Sequence, residues 1–154
     1  MGEVSAMIPR KKITEISREM FEAPYALGGM DKREGFDCIS YLYFFYRELG
    51  AEIPEEEGGF DVQNYAEKYQ ENPGKAKRAL LRYILKIGEP VQIEFMQAGD
   101  LAIFRKDGEV TTAIFLGSGK FLSCDERAGV IIIPRRSLTF DRMEARRPCL
   151  RLCQ

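Results

Sequence analysis

Gly35-Phe36-Asp37-Cys38 opens the longest apolar run of the chain, and a thiol in that place has the makings of a nucleophile. Backbone N–H groups and the dipole at the start of a helix favour a thiolate over a thiol. Asp37 must be solvated or paired, so packing alone does not account for the tetrapeptide. The same position also suits a small hydrophobe at the head of a core helix, and the residues by themselves leave both readings open. Cys124, Cys149 and Cys153 follow no disulfide-framework spacing, and reduced, mostly buried thiols are the expectation. The Cys149/Cys153 pair forms a CxxxC. With no histidine in the chain and no second close pair, it does not make a zinc set. GxxxxGK[ST], HExxH and paired CxxC motifs are missing from the sequence, so no cofactor or metal is expected.

The elements that must hold Cys38 follow from periodicity. Ile13, Ile16 and Met20 predict an amphipathic helix over about 10–22, ended by Pro24 and followed by a Gly28-Gly29 turn. Phe36 to Gly50 is apolar on every face, which predicts a helix in the middle of the core, with Cys38 in its first turn and Gly50 as its stop. Glu55 to Gly59 reads as a solvated loop. Asp61 then caps a helix carrying Val62, Tyr65, Ala66 and Tyr69, and after Asn72-Pro73-Gly74 a further helix carries Leu80, Tyr83, Ile84 and Ile87.

From Pro90 the texture changes to strands. Leu101–Phe104, Thr111–Leu116, Phe121–Cys124 and Val130–Ile133 are short apolar runs separated by turn residues, and 148–152 is expected as a final edge strand. Helices first and an antiparallel sheet afterwards is an α+β arrangement, read as a single domain over 1–154, with a helical half at about 9–88 and a strand half at about 90–153.

A net charge of -1 gives no broad reason to bind nucleic acid or an anionic membrane, and Arg135-Arg136 and Arg146-Arg147 read as solvated surface. No apolar window approaches the roughly 18 residues that span a bilayer. The first residues lack a secretory pattern, so the chain as written is expected to be cytoplasmic unless exported by another route.

Taken together, several segments resemble the NlpC-type, papain-like cell-wall cysteine peptidases. They are Pro24-Tyr25-Ala26-Leu27-Gly28-Gly29, Phe36-Asp37-Cys38, Glu48-Leu49-Gly50, Ala98-Gly99-Asp100-Leu101, Ala113–Gly117 and Gly119–Leu122, in the family's order from Pro24 to about Pro134. The resemblance implies that Cys38 is the nucleophile, that Tyr25 lines the site and that Asp37 meets a substrate amine. It places the family's histidine base at Thr111 and its orienting polar residue at Ser123. Ile39-Ser40 stands where a small Ser-Gly pair is usual, at the edge of the same site.

Those departures bear on chemistry. An ordinary thiol with a pKa of about 8.5 is only a few per cent thiolate near neutrality. Amide cleavage also needs an acid for the leaving amine, typically about 10²–10⁴-fold in rate. The hydroxyls of Thr111 and Ser123 titrate too high to serve. Alternation groups Thr111, Ala113 and Phe115 on one face, read as a pocket wall without an acid. Asp107, Glu109, Asp125 and Glu126 are the carboxylates close enough in sequence to substitute, set against a plain role in turns and solvated loops.

Three functions follow. The first is a catalytically silent homologue that binds a peptide, a peptidoglycan stem or a protein partner. The second is a live thiol hydrolase or acyltransferase with a non-standard base. The third is a structural component, such as a phage-tail protein. Selective alkylation of Cys38 separates the second from the others. Copurification with a large assembly, together with an inert Cys38, marks the third.

Overall fold

A computed structural model describes residues 10–57, 60–62, 65–71 and 73–149. Helix α1 (Arg10–Met20) buries Ile13, Ile16 and Met20, the stripe its sequence predicts, and Ser17 with them. The chain then turns through Pro24 into a small hairpin of β1 (Met30–Asp31) and β2 (Gly35–Phe36). Phe36 binds back to the Pro24 segment: its N–H donates to the Pro24 carbonyl and its carbonyl accepts from Ala26 N–H, both at 3.0 Å. Gly35 makes this approach possible. At φ 115° it lies in the left-handed region, and a Cβ there would sit 2.4 Å from the Pro24 carbonyl oxygen.

Helix α2 (Ser40–Leu49) is buried on nearly all sides. It starts later than periodicity suggests: Phe36 belongs to a strand, and Cys38 lies in the turn just before the helix rather than within it. Gly50 ends α2 at φ 87°, where Ala51 N–H reaches the Tyr46 carbonyl at 2.8 Å. The phenols on this apolar helix all find partners. Tyr46 Oη donates to the Gly99 carbonyl at 2.8 Å, and Tyr41 Oη shares a 2.9 Å bond with Thr112 Oγ1.

Residues 51–88 depart from their expected form. The acidic loop holds a two-residue pair, β3 (Glu56–Glu57) with β4 (Phe60–Asp61), so Asp61 lies in a strand rather than at a helix cap. Helix α3 spans only Tyr65–Glu71, and α4 (Pro73–Leu85) begins on the proline itself, a residue whose missing N–H costs nothing in a first turn. The expected inward place of Tyr69 lies outside the described side chains.

The strand half is one six-stranded antiparallel sheet. Its members are β5 (Glu89–Val91), β6 (Leu101–Lys106), β7 (Glu109–Gly117), β8 (Lys120–Asp125), β9 (Gly129–Pro134) and β10 (Arg142–Arg147). They lie in the order β5-β10-β6-β7-β8-β9. Among the described residues the last strand is therefore 142–147, inserted between β5 and β6; Pro148 and Cys149 lie outside any strand, and the rest of the edge strand expected at 148–152 lies outside the described residues. Its sequence hides it: only Met143 and Ala145 face a core, between charged residues. Arg147 makes a two-point bond to the fully buried carboxylate of Asp100, at 2.8 and 2.9 Å. Arg146 donates to the carbonyls of Ile87 and Gly88. The pair read as solvated surface ties β10 to the chain after α4 through Arg146 and to the residues before β6 through Arg147.

Hydrophobic side chains pack on both faces of the sheet. Leu101, Ile103, Ile114, Leu122 and Val130 meet α1 and α2 on one face; Ala102, Phe104, Ala113, Phe121 and Met143 form a second layer on the other. Among the described residues no helix is long and apolar enough to cross a membrane.

Candidate active-site cleft

Cys38 lies exposed on the wall of a cleft of about 400 Å³. Several parts of the chain build the cleft. Tyr25 and Leu27 come from the segment before the hairpin, and Cys38, Ile39 and Tyr41 from the head of α2. Glu109 to Thr112 and Cys124 to Glu126 come from the start of β7 and the end of β8. Phe60, Tyr65, Leu80 and Ile84, from β4, α3 and α4, close the far side.

The turn that presents the thiol is held by Asp37. This side chain is fully buried, and Oδ1 accepts the N–H groups of Ile39 and Ser40, both at 2.8 Å. Oδ2 accepts Gly28 N–H at 2.6 Å and the Tyr65 hydroxyl. Ser40 Oγ returns a bond by accepting Asp37 N–H at 2.9 Å. The reciprocal bonding satisfies N–H groups that the start of a helix otherwise leaves open, and it points residue 38 outward while residues 37, 39 and 40 go inward. Both oxygens of Asp37 are thus spent on internal donors. Ile39 is 1% exposed, so it reaches the cleft as part of its floor.

Tyr25 is half-buried, and burial followed by the negative charge available at Cys38 and Asp37 raises its phenol above the ordinary range, so it is a neutral hydrogen-bond donor. Burial does the same to Tyr41 and Tyr65. Cys124 donates its thiol proton to the Phe36 carbonyl at 3.2 Å, and burial pushes it up to about 12, with Asp37 and Cys38 adding to the rise. It is not a second nucleophile near neutrality.

Thr111 stands on the cleft wall, exposed at the start of β7. Its neighbours on the same sheet face do not continue the wall. Thr111 pairs across the sheet with Phe104, and Ala113 and Phe115 pack in the second core layer, behind the cleft. The next residue along, Thr112, opposes Ile103 and turns toward α2, where it binds Tyr41. Ser123 is buried and donates to the Thr112 carbonyl at 3.0 Å, so both hydroxyls cluster around the Tyr41 phenol. The expected wall of Thr111, Ala113 and Phe115 is corrected to Glu109–Thr112. Tyr41, Tyr65, Thr112 and Cys124 join the site without having been singled out as site residues from sequence. Their polar tips were masked by apolar periodicity.

Of the carboxylates considered as substitutes, Glu109, Asp125 and Glu126 line the cleft. Asp125 Oδ2 accepts the N–H groups of Arg127 and Ala128 in the β8–β9 turn. Asp107 is a turn residue at φ 50°, away from the cleft lining. Among the described residues no group of three His, Cys, Asp or Glu side chains is arranged to hold a metal ion. Cys153 lies outside the described residues.

Comparison with known proteins agrees with this architecture. Murein DD-endopeptidase MepH of Escherichia coli (strain K12) is 28% identical over 103 residues, 64% of this chain and 30% of that protein. The chain thus spans about a third of that curated relative's length. The NlpC/p60 domain of the peptidoglycan hydrolase SagA superposes with a TM-score of 0.59 at 20% identity, covering 90% of this chain and 97% of that one. RipD of Mycobacterium tuberculosis, described as a non-catalytic NlpC/p60 domain protein adapted to peptidoglycan binding, gives a TM-score of 0.53 at 18% identity, covering 96% and 99%. The model of the NlpC/P60 family matches residues 22–143, most of the sequence, and the chain belongs to that family.

Proposed function

We propose that this NlpC/P60 domain keeps the family's thiol and cleft but has lost its base, and that it binds a peptide or cell-wall fragment without cutting it efficiently. The observation that carries the reading is the chemistry of the wall facing Cys38. The chain has no histidine, Thr111 occupies the position where resemblance places it, and Thr112 and Ser123 nearby are engaged in hydrogen bonds. A thiol attacking an amide expels an amine that must be protonated. The neutral phenols of Tyr25, Tyr41 and Tyr65 are poor acids for that step, because burial raises all three above their ordinary value. RipD, non-catalytic and peptidoglycan-binding by its description, offers a precedent for this use of the fold.

The test is incubation with digested peptidoglycan, following new amino groups for hydrolysis and retention on the immobilised protein for binding. Retention without new amines is the expected result. New amines that disappear with Cys38→Ala refute the reading. The exposure of Cys38 in an open cleft favours one second reading, a thiol hydrolase or acyltransferase for activated esters, whose leaving groups need no proton. Turnover of 4-nitrophenyl acetate that depends on Cys38 would establish it.

A further inference from the structure

We infer that the cleft around Cys38 selects ligands that are cationic at one end and apolar at the other; this rests on the binding reading and names its ligand class. The two sides of the cleft differ in kind. The sheet side carries Glu109, Asp125 and Glu126 beside Val110, while Leu80 of α4, backed by the buried Ile84 and by Phe60 of β4, lines the opposite side. Among the described residues no lysine or arginine lines the cleft. A ligand lying across Cys38 therefore meets three carboxylates on one side only, and a predominantly apolar surface on the other. Concave walls of low polarity focus the field of like charges, so an ammonium group is concentrated at the sheet side and a carboxylate is expelled. Turn N–H bonds hold Asp125 in place at the end of β8, and the Glu126 charge is felt at the Tyr25 phenol, so this acidic side reaches the residues next to the thiol. The ligand class is a peptide segment pairing a lysine-like ammonium with a bulky aliphatic side chain.

The thiol itself reads out the field. In a Cys149→Ser/Cys153→Ser background at about pH 8, Cys124 stays protonated and Cys38 is the reactive thiol. Its rates with cationic 2-aminoethyl methanethiosulfonate and anionic 2-sulfonatoethyl methanethiosulfonate are compared with the same ratio for N-acetylcysteine amide. The expected preference for the cation is about tenfold at roughly 0.02 M salt, shrinking several-fold at about 0.5 M. It shrinks likewise in Glu109→Gln/Glu126→Gln. A ratio near that of the small thiol, or one favouring the anion, overturns the proposal.

In the second arm, acetyl-Leu-Lys-amide and acetyl-Leu-Glu-amide compete with iodoacetamide at Cys38. Protection by the lysine peptide alone is the expected result. Equal protection by both overturns the charge selectivity and leaves peptide binding standing. Protection by neither, with the reagent preference intact, refutes the peptide ligand while the field at the thiol stands.

Discussion

Replacing Asp37 by asparagine keeps shape and volume but halves the acceptor capacity at the point where four donors converge. Gly28 N–H, Ile39 N–H, Ser40 N–H and the Tyr65 hydroxyl all terminate on the carboxylate. In the Asp37→Asn protein the remaining carbonyl oxygen serves Ile39 and Ser40, the Tyr65 hydroxyl turns to accept from the new NH2 group, and Gly28 N–H is left facing a hydrogen. A hydrogen bond to a charged group contributes about 1.5–3 kcal/mol, and a buried unsatisfied donor costs about 1–3 kcal/mol. One lost bond, an unsatisfied buried N–H and weaker neutral bonds at the rest give a destabilisation of about 2–4 kcal/mol, large for a single substitution. For a chain of this size each kcal/mol moves Tm by about 2–4 °C, so a fall of roughly 5–15 °C is expected in thermal melts followed by circular dichroism. Tyr65→Phe removes one donor and should cost less. Because both changes act on the same carboxylate, the double variant should fall short of the sum. An Asp37→Asn protein melting within about 2 °C of the parent would refute the claim that this carboxylate holds the Cys38 turn.

Cys38→Ala touches an exposed side chain and should shift Tm by no more than about 2 °C, measured in the same melts. Arg147→Ala strips a buried carboxylate of its two-point partner and should cost about 3–5 kcal/mol by urea denaturation. Burial raises the Cys124 thiol to about 12, so labelling of Cys124 should remain slow through about pH 9 in folded protein and become fast on unfolding. The sign for stability follows. The contribution of protonated Cys124 is complete below its unfolded pKa of about 8.5 and is lost as pH rises toward the folded value. Thr111→His should introduce an inflection near about pH 6.5 in the labelling rate of Cys38, seen in a pH series; a profile identical to the parent's would show that residue 111 does not address the thiol.

Sequence patterning made much of the architecture legible where one face was plainly apolar. The stripe on α1, the run that becomes α2, and β6 to β9 all lie within a few residues of their expected bounds. Patterning failed where charge and burial coexist. Arg142–Arg147 carries two small or flexible apolar residues among four charges, so its place in the sheet is invisible without Asp100 as a partner. The site shows the same division. Cys38, Tyr25, Thr111 and Asp37 all line the cleft, but both oxygens of Asp37 go to four internal donors, which a sequence signals only as an acid beside a thiol. Tyr41 and Tyr65 were legible as helix-facing residues, but nothing local tells where a phenol's hydroxyl ends.

The segment 51–88 forms one side of the cleft, yet it lies between α2 and the sheet as a single excursion of the chain. Its hydroxyl contact with the thiol's turn is Tyr65 on Asp37. Heritable change can therefore act on the two halves of the site at different speeds. Insertions, deletions and recolouring of Phe60, Leu80 or Ile84 remodel what is held, provided a tyrosine still arrives at the aspartate. The turn and the start of α2, where four donors converge on Asp37, tolerate far less. A domain built this way can change what it holds without disturbing the turn that presents Cys38.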